Sequence, residues 1–186
     1  MRRRTNWWMV ALISVAVLVS GVGLLIVASV VVVAIFGFGD DDDLGRHDLD
    51  AAAAATAMEL RHVGIPDGFA FEEMTVDRMF VGADFYRGRY SADDNFESAK
   101  RALAQANPDF PALRSVTCDD EIVAQDFAPD PDFHCAAGTE LAIGTRTLDG
   151  ADVLADNYRG TPPDCETVLL VRNGARTELF VLSQGH

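Results

Sequence analysis

Few residue types in this chain of 186 residues can carry chemistry: Cys118, Cys135 and Cys165, the histidines His47, His62, His134 and His186, and 29 carboxylates. A zinc site would group Cys118, His134, Cys135 and Cys165, but the spacing lacks the C-x2–4-C knuckle that holds two thiolates on one turn. Thiol exchange needs a nucleophilic thiolate with a resolving partner, and the chain has no C-x-x-C. Nucleophilic hydrolysis needs an imidazole base and a third group to orient it. No G-x-S-x-G occurs, and only His134 lies away from a linker, a helix end or the last position. Paired carboxylates stand at Glu72/Glu73, Asp93/Asp94 and Asp119/Asp120/Glu121, the raw material of glycoside hydrolysis. With 29 acids in the chain such neighbours also arise by chance. The enzymatic alternative is an envelope hydrolase using Asp119, Asp120 or Glu121 with His134. No glycine falls in a phosphate-binding motif, so neither a catalytic residue, a metal nor a cofactor is assigned.

The cysteines have a structural use instead. Outside the cytoplasm a disulfide forms and persists, and Cys118 with Cys135 would staple the two ends of the acidic, proline-containing stretch 119–133. In the chain-entropy model a loop of that length gains about 3 kcal/mol.

One surface stands out. Two strand-like runs, 74–81 and 84–91, flank Gly82 and Ala83, and glycine at the first central position suits a two-residue II′ hairpin. That turn opposes Phe80 to Phe85, Arg78 to Arg87 and Val76 to Arg89, all on one side of the ribbon. Met79, Val81, Tyr86 and Tyr90 fall on the other, as its core face. Three arginines and two phenylalanines then gather on an otherwise acidic domain. Glu72, Glu73 or the acidic loop can fold over them as a salt-bridge lattice. Alternatively they dock an acidic protein segment or an anionic envelope polymer, since Arg and aromatic residues are enriched at interface hot spots. A register slip would turn the arginines to the other face.

The remaining elements must position these groups. Asp48 is placed to cap a helix through about Arg61, with Leu49, Ala52, Ala53, Thr56, Leu60 and Val63 on one stripe and Gly64 and Pro66 as the stop. Ser91-x-x-Asp94 makes a capping-box-like start for a second helix, with Phe96, Ala99 and Leu103 on one face and Asn107-Pro108 at its end. Strands are expected at 113–118 and 139–148, with irregular chain between them. Asn173-Gly174 centres a hairpin of 166–172 with 175–183, pairing Leu170 with Thr177 and Val168 with Leu179. Both faces of that hairpin are apolar, which places it near the middle of a sheet.

Ahead of this domain lies a membrane anchor. Residues 7–38 carry no charged side chain, and the 27-residue apolar run 10–36 exceeds the roughly 20 needed to span a bilayer. A signal peptide has a shorter apolar core and a small-x-small cleavage site. Arg2, Arg3 and Arg4 favour a cytoplasmic tail at 1–6, while 40–43 are four aspartates, read as part of a solvated linker (39–47) rather than a calcium site. Beyond residue 39 the chain carries 12 basic and 29 acidic side chains, a formal charge of −17. That sign repels phosphate backbones and excludes nucleic acid as a partner of the domain. Fourteen of the 15 basic residues are arginine, a bias that suggests a GC-rich bacterial genome.

The sequence therefore reads as a single-pass bacterial envelope protein whose extracytoplasmic α+β domain, residues 48–186, has two helices and about five or six mainly antiparallel strands. Its domain is expected to bind or organise other envelope components without catalysis.

Overall fold

The central hairpin organises the molecule. The computed structural model describes residues 44–147, 150, 152 and 165–185; the expected span at 7–38 and the aspartate run 40–43 lie outside them. Among the described residues no helix is long and apolar enough to cross a membrane. The elements in chain order are β1 (Gly45–Asp48), α1 (Ala51–Leu60), β2 (Ala70–Arg78), β3 (Phe85–Ala92), α2 (Phe96–Ala106), β4 (Arg114–Val116), a wide helical turn (Val123–Phe127), β5 (Glu140–Thr147), β6 (Cys165–Asn173) and β7 (Arg176–Gln184). Seven strands form one antiparallel sheet in the order β1-β2-β3-β7-β6-β5-β4. The domain is α+β, with more strands than expected because Gly45–Asp48, assigned mostly to the linker, pairs with β2 as an edge strand.

The two faces of β6 and β7 are buried against different layers. Val168, Leu170, Leu179 and Val181 join α1 and α2 through Ala54, Met58, Phe96, Ala99 and Leu103. Leu169, Val171, Phe180 and Leu182 pack under the segment between the cysteines, through Ile122, Val123, Phe127 and Phe133. Each such side chain is worth about 1.5–3 kcal/mol of burial. Phe127, Phe133 and Phe180 add edge-on or tilted ring contacts with centroids 5.6 to 6.3 Å apart. The stretch 119–133 is thus a folded cover over a second core, and the Cys118–Cys135 disulfide, Cα to Cα 5.8 Å, closes it.

Several local expectations are corrected. Asp50, not Asp48, caps α1: its Oδ1 accepts from the Ala53 amide at 2.8 Å, while Asp48 is spent in β1. Asn95 caps α2 in place of Ser91 and Asp94, accepting from the Ser98 amide at 2.9 Å, because Ser91 belongs to β3. The buried residues of α2, Phe96, Ala99 and Leu103, are those expected. The buried side of α1 is rotated to Ala54, Ala57 and Met58. In an alanine-rich helix the one large apolar side chain that fits the core decides the orientation, and Arg61, buried at the helix end, fixes it by donating to the carbonyls of Asp84 and Gly185.

The β6–β7 turn is Gly174 and Ala175, one residue later than expected, so Leu170 faces Leu179 and Val168 faces Val181. Gly174 takes φ of 66° at the first turn position. Asn173 is held out of the turn by its side chain: Nδ2 donates to the His134 carbonyl at 2.7 Å and Oδ1 accepts from Thr139 Oγ1 at 2.8 Å. Opposite residues move by two, so both faces keep their residues.

Candidate functional site

The register of β2 against β3 decides what the arginines form. The expected pairing is overturned: Asp77 faces Phe85, Thr75 faces Arg87 and Glu73 faces Arg89. Between Arg78 and Phe85 the chain makes a six-residue loop, 79–84, rather than a two-residue turn. Packing selects this register, since Met74 lies opposite Gly88, where a Cβ would stand 2.4 Å from the Met74 methyl carbon. Only glycine leaves room for that methionine, which with Val76 and Tyr90 supplies the core face in place of Met79 and Val81. Opposite residues move by three, an odd number, so Arg78 lies with Met74 and Val76 on the helix side, away from Arg87 and Arg89. Phe80 leaves the sheet altogether and stands exposed in the loop.

Arg46 of β1 joins Arg87 and Arg89, because Arg46 pairs with Asp77 and so shares the alternation of Glu73, Thr75 and Asp77. Together with Glu73, Asp130 and Asp132 these arginines line a cleft of about 130 Å3, walled by Pro129 and Pro131 of the disulfide-closed cover. Arg89 is fully engaged: Nε meets Glu73 at 2.9 Å, Nη1 meets Glu178 at 3.4 Å and Nη2 meets Asp132 at 3.6 Å. Burial of the guanidinium opposes its charge, yet the Glu73 hydrogen bond and the fields of Glu73, Asp132 and Glu178 outweigh that and hold its pKa above the ordinary value. The lattice reading therefore holds for Arg89, with Glu73 and the acidic loop as partners. Glu72 points elsewhere: the bulge between Phe71 and Glu73 sets it apart, and it pairs with Arg176.

Arg46 and Arg87 are different. Among the described residues neither has a carboxylate within 4 Å. Arg87 lies with its guanidinium carbon 5.3 Å from the centre of the Phe85 ring, a cation–π contact. The cleft thus offers two guanidinium groups, one of them stacked on Phe85, and an acidic rim.

Two of the hydrolytic candidates make local hydrogen bonds. Asp120 Oδ1 accepts from the Ile122 amide at 3.2 Å and Glu121 Oε1 accepts from Gln125 at 3.1 Å. His134 is exposed, its carbonyl bound to Asn173. Cys118 and Cys135 are bonded to each other and Cys165 is buried in β6, and no Cys3His grouping is assembled among the described residues.

Two features escaped sequence reasoning. Glu166, 1% exposed, pairs across strands with Arg146, Nε to Oε2 at 3.5 Å, beside Arg61 and Ser183. Arg146 also donates from Nη2 to the His62 carbonyl at 2.9 Å and lies 4.3 Å over Phe110. Burial pushes the Glu166 carboxyl up, against the opposing pull of Arg146, Arg61 and the Ser183 hydrogen bond. Alternation already places Glu166 with Val168 and Leu170 on a core face, and that was the available signal. The second is an apolar groove of about 430 Å3 between α1 and β2, lined by Met58, Val63, Phe69, Phe71 and Tyr90 among others. The Tyr90 hydroxyl is buried with no hydrogen-bond partner among the described residues.

Comparison with protein-family models, with curated proteins and with solved structures yields no match for this chain.

Proposed function

We propose that this protein is a single-pass bacterial envelope protein, anchored through residues 7–38 with a cytoplasmic N-terminus, whose outer domain is a non-catalytic interaction module. The observation that carries the reading is the pair Arg46 and Arg87, which line the cleft without a carboxylate partner among the described residues. In a chain whose residues beyond 39 carry a formal charge of −17, two arginines left unmatched amid so many acids favour an acidic ligand group. A uniformly anionic polymer would meet Glu73, Asp130 and Asp132 along with the arginines. An extended protein segment with one or two spaced carboxylates meets only the arginines, and is the partner this cleft fits better.

The test is crosslinking of the full-length protein in its native membrane with carboxylate-reactive linkers, followed by mass spectrometry. A reproducible protein partner is expected for the wild type, lost when Arg46→Ser and Arg87→Ser are combined and retained with Arg78→Ser on the opposite face. Crosslinks confined to the protein's own acidic segments in all three forms would overturn the reading.

A further inference from the structure

Five large hydrophobic side chains stand exposed among the described residues: Leu44 (40%), Leu60 (73%), Met79 (58%), Phe80 (83%) and Val81 (80%). They come from three separate stretches of chain and share one end of the sheet. Met79, Phe80 and Val81 follow the last residue of β2. Gly45 pairs with Arg78, which brings Leu44 beside the start of that loop. Helix α1 returns to the same end, where Arg61, next to Leu60, donates from Nη2 to the Asp84 carbonyl at 3.3 Å. The β6–β7 turn at Gly174 and Ala175 marks the other end, since β3 and β7 pair from Tyr86 with Ser183 to Ala92 with Thr177. Single exposed hydrophobics are ordinary, but several gathered at one end of a domain mark an interaction site.

The length of the connecting chain says what covers it. Resting on the anchored reading above, only six residues lead from Phe38 to Leu44, a reach of at most about 20 Å. The opposite end lies about a strand length further out, about 25–30 Å for eight residues. The hydrophobic end is therefore the one the tether keeps beside the bilayer. We infer that this end docks on the outer leaflet, with Met79, Phe80 and Val81 immersed at the headgroup and acyl boundary, where exposed apolar side chains gain from burial. The net charge of −17 beyond residue 39 opposes adsorption on an anionic surface, but a short tether supplies a millimolar effective concentration, so a weak local contact suffices. Docking fixes the height and tilt of the domain and turns the β6–β7 end outward.

The test uses the full-length chain in vesicles of phosphatidylethanolamine and phosphatidylglycerol, with an environment-sensitive fluorophore on Phe80→Cys or on Ala175→Cys. The expected result is a blue-shifted label at 80, quenched several-fold more by shallow spin-labelled lipid than the label at 175. Adding Met79→Ser and Val81→Ser should reduce quenching at 80 to the level at 175; undiminished quenching would mean that the dye itself seeks lipid and would overturn the inference. Equal, weak quenching at both sites with the chain still floating with the vesicles after a carbonate wash overturns docking and leaves the anchor. A chain that no longer floats overturns the anchor and the inference with it.

Discussion

Asn107 and Gly64 are locked by reciprocal hydrogen bonds: Asn107 Oδ1 accepts from the Gly64 amide and Asn107 Nδ2 donates to the Gly64 carbonyl, both at 2.7 Å. The same Nδ2 donates to the Leu103 carbonyl at 3.0 Å, so one side chain ends α2 and ties it to the chain leaving α1. A Cβ at Gly64 would lie 2.2 Å from the Ala106 carbonyl oxygen. Asn107→Ala strands buried partners and should cost about 2–4 kcal/mol. Gly64→Ala forces the two segments apart and should cost about 1–3 kcal/mol. Because both break one contact, the double variant should lose less than the sum of the two, as chemical denaturation will show.

Replacing Cys118 and Cys135 by serine opens the cover over the second core. The loss should be about 3 kcal/mol, and wild-type protein in reductant should unfold at the same denaturant concentration as the variant. The cover also carries Asp132, so mobility should increase around Arg89, measurable as faster hydrogen exchange at the amides of Asp130 and Asp132.

Glu166 gives the stability a pH dependence of definite sign. A carboxyl raised in the folded state keeps its proton where the unfolded chain has lost it, so unfolding releases a proton. Its contribution is complete below the ordinary value of 4.5 and is lost as pH rises through the folded value. Glu166→Gln removes that slope. Stability curves of the two proteins should therefore change relative to one another in favour of glutamine as pH climbs from 4.5 through the folded value, and parallel curves would rule the effect out.

Tyr90 behaves likewise at the alkaline end. Burial pushes its hydroxyl up from 10.0 to about 12, so the wild type should lose stability between those values while Tyr90→Phe does not. At neutral pH, Tyr90→Phe deletes a buried hydroxyl that has no partner among the described residues. It should be neutral or stabilising by up to about 1 kcal/mol.

What sequence made legible depended on whether an error preserved parity. The β6–β7 hairpin was centred one residue early, yet its two apolar faces came out right because the partners moved by two. The β2–β3 hairpin rested on Gly82 as a turn residue, and the partners moved by three. Arg78 and Phe80 were thereby placed beside Arg87, Arg89 and Phe85, whereas the structure puts Arg46 there. The turn signal at Gly82 does not announce the register; it is fixed by Met74 seeking the space over Gly88 and by β3 pairing with β7. The disulfide was legible from spacing and the second core was not. A run so rich in Asp and Pro shows no period, although Ile122, Val123, Phe127 and Phe133 bury their side chains within it.

Strand β7 follows every other described strand in the chain and lies at the centre of the sheet, between β3 and β6. Without it β1-β2-β3 and β4-β5-β6 are two separate ribbons with no shared edge, and Tyr86 must await a partner nearly a hundred residues later at Ser183. The domain cannot mature progressively as it is made. Its assembly is gated by the arrival of residues 176–184, and until then both ribbons present open edges that need protection from pairing with other chains.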